Sequence, residues 1–203
     1  MAAKRRAESM EENRLKLIAA ARNAFAEKGF AAASMDELTA SVNLTRGALY
    51  HNFGDKKGLL AAVVTQIDNE MAQHAMEAAA DVEDDWQKLL AEGIAYIRMA
   101  LNEEVRRIVL LDGPAFLGNP AQWPSQNSCL QATRQRIIDM RTRGVIKPVD
   151  PEATAFLLNS AALNAAQWIA ASDDPQQALP KVIEAFTLLV QGLRLTPDAT
   201  TSR

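Results

Sequence analysis

Apolar and polar positions recur every three to four residues along most of the chain, and no stretch shows the period of two that marks a half-buried strand. That pattern predicts an all-α fold. The first well-defined amphipathic segment is 14-RLKLIAAARNAFAEKGF-30, where Leu17, Ile18, Ala21 and Phe25 fall at helical spacing and Gly29 stands at the left-handed position that ends a helix. Ser34 and Glu37 have capping-box spacing and open a second helix through Ser41. Asn43 then occupies the C′ position in place of Gly, and Thr45 caps a third helix that ends near Phe53. Two short helices joined by a turn of about three or four residues have the layout of a helix-turn-helix.

Gly54 closes the third helix and Asp55 caps a long fourth one, about 56–79, with Leu59, Leu60, Val63, Val64 and Ile67 on its apolar side. After the acidic break 81-DVEDD-85 a helix is expected to about Leu101, then another over NEEVRRIVLL, then a loop over 112–126. The pattern resumes as a helix from about Ser128 to Gly144. Asp150-Pro151 is a cap followed by Pro at the first helical position, opening a helix to about 172. Asp174-Pro175 repeats the device, but Pro180 blurs the start of the last helix, which the apolar spacing places at about 180–195. The expected organisation is an N-terminal arm and helix-turn-helix domain over 1–58, a helical domain over 59–195 and a disordered tail over 196–203.

Composition narrows the function classes. The chain has 203 residues, 48% of them hydrophobic, enough to bury a core, and one cysteine, Cys129, so no disulfide framework is expected and a reducing compartment, the cytoplasm, fits. Ala153–Ser172 carries no charge, but its Thr, Asn, Ser and Gln residues argue for a buried or interface helix over a membrane span. The N-terminus lacks the apolar core of a secretory signal. The net charge of -3 is unevenly distributed: residues 1–58 hold ten Lys or Arg against seven Asp or Glu, and the rest is acidic. A modestly basic end on an acidic body implies two tasks on one chain. Enzyme chemistry has little to stand on, with only His51 and His74, no metal-ligand spacing and no G-x-S-x-G, while Gly113 to Gly118 imitates half a P-loop but continues with Asn119-Pro120. No cofactor and no metal are expected.

The stretch 45-TRGALYHNF-53 carries the candidate chemistry. A glycine early in a helix costs roughly 1 kcal/mol relative to alanine, so Gly47 needs a reason. Thr45 and the first-turn N–H groups suit a phosphate, Arg46 suits a phosphate or a guanine, Gly47 allows close approach, and Ala48 suits a thymine methyl. Tyr50 and His51 lie on the outer side, whereas Leu49 and Phe53 point inward. Lys56 and Lys57 oppose the dipole of the fourth helix, which a phosphate partner would explain.

These residues make 14–60 similar to the DNA-binding domain of the TetR family of one-component regulators. The match runs through 17-LIAAARNAFAEKGF-30, 34-SMDELTASVNLTRGALYHNF-53 and 54-GDKKGLL-60, in order and spacing. The resemblance implies an N-terminal three-helix DNA-binding domain joined by a long helix to a helical ligand-binding and dimerisation domain. It implies DNA contacts among Ser34, Met35, Thr45, Arg46, Gly47, Ala48, Tyr50, His51, Lys56 and Lys57. The sequence departs from the family pattern at Thr39, Asn43, Asn52 and Gly58. The resemblance also implies an effector pocket in the second domain, for which Ile94, Ile97, Arg98, Leu111 and Phe116 are candidates, together with Trp123, Ile137, Met140 and Trp168. Aromatic and methionine content there suits an effector of apolar character. Pairing of the last two helices with their copies in a homodimer would engage Phe156, Leu163, Trp168, Phe186, Leu189, Val190 and Leu193. The expected function is a ligand-responsive regulator, a repressor released from a palindromic operator. The alternative is a helical small-molecule-binding or scaffold protein that binds no operator.

Overall fold

The computed structural model describes residues 2–195, and side chains from Arg5 onward with the exception of Arg6. The expected tail over 196–203 lies outside the described residues. The described chain is helical: α1 (Ala2–Lys28), α2 (Met35–Ser41), α3 (Arg46–Phe53), α4 (Lys56–Ala78), α5 (Asp85–Arg98), a π-helix (Val105–Asp112), α6 (Gly113–Leu117), α7 (Pro124–Thr142), α8 (Pro151–Ala171) and α9 (Pro175–Gln191). Among the described residues, no helix is long and apolar enough to cross a membrane.

Local chemistry sets most boundaries. Gly29 has φ +80° and Asn43 φ +55°, so both turns use the left-handed conformation expected of them. The side chains of Ser34, Thr45, Asp84, Asp150 and Asp174 each accept a hydrogen bond from the backbone N–H three residues on. Three expectations need correction. The segment 112–126 is no open loop: it holds α6, a short 3-10 turn (Pro120–Gln122) capped by Asn119, and the start of α7 at Pro124. The stretch after Asn102 winds as a π-helix, a rare geometry found often at functional sites. Finally, α9 begins at Pro175 and runs through Pro180, forfeiting one internal hydrogen bond.

The described chain divides into two compact units. The first reaches Glu70 and also takes in Asn102–Trp123, so it extends beyond position 58. Its core includes Leu17, Phe25, Leu38, Leu49, Leu59, Leu60 and Ile67, all buried. The second unit comprises Met71–Leu101 and the chain from Pro124. There α8 packs against α5, α7 and α9, burying Ala155, Ala166, Ile169 and Ala170 beside Trp86, Ile97, Ile137 and Met140. The α7–α8 connection is tied to the end of α9 by Lys147 N–H to Leu193 O (2.9 Å) and Leu195 N–H to Val145 O (3.2 Å).

In this second unit, a Cβ on Gly93 would lie 2.8 Å from the Phe186 ring, so the glycine makes the hollow that ring occupies. Phe186, Leu163 and Val190, expected at a dimer interface, are largely buried within the unit itself. Apolar side chains that do reach the surface are Phe156, Leu157 and Trp168 on α8 and Leu188 and Leu189 on α9.

Candidate DNA interface

Helix α3 is anchored by Leu49, with Ala48, Asn52 and Phe53 half-buried, and displays the remaining side. Leu49 is fully buried, and α1 packs against both α2 and α3. Thr45 Oγ1 accepts from the Ala48 N–H at 3.2 Å, fixing the first turn. Thr45, Arg46, Gly47, Tyr50 and His51 are exposed and Ala48 is half-buried. Phe53 is half-buried rather than core, with the Arg14 guanidinium 5.9 Å from its ring centre.

Gly47 is free of any demand from the fold. A Cβ there would meet only Thr45 Oγ1, at 3.6 Å, which is ordinary contact. Its backbone φ is not among the positive ones. Neither turn geometry nor packing therefore explains the glycine.

The departures from the family pattern also have local explanations. Thr39 is buried, but its hydroxyl donates to the Met35 carbonyl at 3.0 Å. Asn52 donates to the Ala48 carbonyl at 2.7 Å. A Cβ on Gly58 would lie 1.9 Å from the Phe53 carbonyl oxygen, so here the start of α4 closes on the end of α3.

The expected cationic contacts differ among themselves. Arg46 lies on the surface but is paired side-on with Asp36 of α2, through Nε to Oδ1 and Nη2 to Oδ2. That carboxylate raises the Arg46 pKa. Lys56 is half-buried: its Nζ donates to the Ala31 carbonyl at 3.3 Å and sits 4.7 Å above the Phe30 ring, and burial lowers its pKa. Lys57 is exposed. Ser34 and Met35 are half-buried, and Ser34 is engaged as the α2 cap. Lys56→Ala is expected to lower the slope of log affinity against log salt by about one per site if Lys56 also holds a phosphate. A fluorescence-anisotropy salt titration reads that slope, and an unchanged one confines Lys56 to the α1–α2 connection.

A second set of contacts escaped the sequence reading. Arg22 on α1 grips Glu104 with Nε and Nη2 at 2.6 and 2.8 Å, and its Nη1 donates to Glu70 at 2.7 Å. That guanidinium holds the Glu70 carboxyl below the usual carboxylate range. Arg107 donates to the Ala26 and Glu27 carbonyls at 3.2 and 3.1 Å, satisfying the end of α1. Asp112 accepts from the Phe30 N–H at 2.9 Å, and Phe116 packs on Phe30 with ring centres 4.5 Å apart. The π-helix and α6 are thereby fastened to the end of α1.

The expected effector residues are divided between the two units. Leu111, Phe116 and Trp123 belong to the first unit, where Phe116 packs on Phe30 and Trp123 against Gly113. Ile97, Ile137 and Met140 are buried in the second unit and Ile94 is half-buried there. Arg98 and Trp168 are exposed, as is Leu111. Trp168, 59% exposed, is a surface residue rather than part of an enclosed apolar interior. Among the described residues, no group of three or more His, Cys, Asp or Glu is placed to hold a metal ion.

Comparison with known proteins fits this geometry. Residues 17–63 match the family described as bacterial regulatory proteins, tetR family. Residues 86–193 match the tetracyclin repressor-like C-terminal domain. A crystal structure of a TetR-family transcriptional regulator from Pectobacterium atrosepticum is 45% identical, with a TM-score of 0.85, covering 94% of this chain and 98% of that one. The uncharacterized HTH-type transcriptional regulator YhgD of Bacillus subtilis is 29% identical over 73% of this chain and 80% of its own length. The HTH-type transcriptional repressor AcnR of Corynebacterium glutamicum is 29% identical over 62% and 64%. These relatives are transcriptional regulators, not enzymes. With both halves of the chain matched and the recognition helix displayed as described, the chain belongs to the TetR family of transcriptional regulators.

Proposed function

We propose that the protein is a homodimeric repressor that leaves a palindromic operator when a small molecule of apolar character binds its second unit. It would work in the cytoplasm. The observation that carries this reading is the state of α3: capped by Thr45 and anchored by buried Leu49, with Thr45, Arg46, Gly47, Tyr50 and His51 turned outward. Regulators of this family are typically ligand-responsive repressors.

Two recognition helices reading one duplex face must enter major grooves about one turn apart, roughly 34 Å, which requires two copies and a symmetric site. The exposed apolar side chains of α8 and α9 supply a surface for that pairing. Release requires a ligand that prefers the non-binding arrangement: about 5.5 kcal/mol moves a population from 1:99 to 99:1. The chain crosses from one unit to the other at Glu70–Met71, Leu101–Asn102 and Trp123–Pro124. Two of these crossings bound the segment that Arg22, Arg107 and Asp112 fasten to α1, so a change in the second unit has a covalent route to the helix that carries α3.

Selection from a random-sequence duplex library tests the reading. A palindromic consensus, bound with a steep loss of affinity as salt rises, is expected. Weak binding without sequence preference would instead favour a helical carrier or scaffold. A thermal-shift screen of apolar small molecules, followed by operator release, identifies the effector.

A further inference from the structure

The operator reading leaves the pairing of Asp36 with Arg46 unexplained. Asp36 is an exposed carboxylate on the first helix of the helix-turn-helix, beside the residue best suited to read a base. A negative charge facing phosphates lowers affinity for any duplex. Its worth to the fold is modest: the first turn of α2 favours a carboxylate by about 0.3–1 kcal/mol, and the pair with Arg46, whose side chains are 56% and 66% exposed, adds about 0–1 kcal/mol.

The atoms of the pair show what the carboxylate does. Arg46 uses the side of its guanidinium, Nε and Nη2, toward Asp36. One N–H of Nη1 and the second of Nη2 remain at the tip, and these two form the end-on fork that fits guanine O6 and N7. An arginine without this partner has rotamer freedom and phosphates within its reach. One held side-on presents the fork in a single orientation.

We propose that Asp36 is a positioning and specificity-determining residue, which orders Arg46 for a guanine in each half-site and keeps it off the phosphates. The proposal rests on the operator-binding reading above. It assigns Asp36 a cost in total affinity and a gain in discrimination.

The test runs the duplex-library selection on the full-length protein, Asp36→Ala, Asp36→Asn and Arg46→Ala, then measures anisotropy on the selected and a scrambled duplex across a salt series. Circular dichroism confirms that each variant is folded. The wild-type protein should prefer guanine at one position per half-site by roughly 5- to 150-fold, and Arg46→Ala should lose that preference. Asp36→Ala should lower it at least about fivefold while binding the scrambled duplex more tightly. Its salt slope should steepen by about 0.9 for each Arg46 that moves to a phosphate. Asp36→Asn, which keeps the shape and one acceptor, should fall between.

Asp36→Ala binding all duplexes more tightly with the guanine preference intact would overturn the proposal, leaving Asp36 as background charge. So would an Arg46→Ala variant that keeps every preference, although the regulator reading would survive. A wild-type protein that selects no sequence would overturn both.

Discussion

A chain carrying Leu157→Glu and Leu189→Glu is expected to migrate as a folded monomer and to bind its operator about 10²- to 10⁴-fold more weakly than the unaltered protein. Leu157 is 65% and Leu189 72% exposed, so neither substitution opens a hole in the core. Surface changes of this kind usually stay within about 0.5 kcal/mol of the original stability. In a dimer the same positions would be covered, each leucine contributing about 1.5–3 kcal/mol of apolar burial. A carboxylate there loses that burial and must also be desolvated. The loss of operator affinity follows from geometry: once one recognition helix is bound, the second binds at high effective concentration, and a monomer forgoes that gain. Sedimentation measures the association state. A double variant that remains dimeric would place the interface elsewhere.

The second large effect is expected at Phe25. Phe25→Ala should destabilise the first unit by about 3–5 kcal/mol, a large part of the 5–15 kcal/mol typical of a whole domain. Phe25 is fully buried and meets Phe30 edge-on with ring centres 5.5 Å apart. Phe30 in turn carries the Asp112, Phe116 and Lys56 contacts, so a cavity under it loosens the end of α1 as well as the seat of α3. Chemical denaturation should show the loss, with operator binding failing first on warming. Phe25→Leu, which refills most of the volume, should recover much of the stability. A cost below about 1 kcal/mol for the alanine variant would contradict this packing.

Elements were legible in the sequence wherever a signal was local. Gly29, Asn43, Ser34, Thr45 and the Asp-Pro pairs at 150 and 174 fix their turns through conformations and hydrogen bonds that span four residues or fewer. The recognition-helix motif is local in the same way. Long-range partners left no such mark. Arg22 meets Glu104 across 82 positions, as Phe30 meets Asp112, and nothing in their own helices marks Arg22 and Glu104 as partners. The π-helical winding is equally invisible to a period of 3.6. On α8 and α9, periodicity showed a wide apolar stripe but not which part of it the unit itself would cover. That was decided by the partner side: the hollow at Gly93 draws Phe186 inward, while Leu188 and Leu189 stay out. Asp36 carries no local signal of its role, because its pairing crosses the turn to Arg46.

An outer side of α3 shaped for DNA at some cost to its own stability should show itself in Gly47→Ala. The fold has room for the methyl group, whose position meets only Thr45 Oγ1 at 3.6 Å, and alanine is the better helix former by about 0.5–1 kcal/mol. Opposite movements are expected: a higher unfolding temperature together with operator affinity at least about tenfold lower, equivalent to about 1.4 kcal/mol. An alanine variant that is more stable and binds the operator as well as the original, or better, would contradict that shaping for DNA.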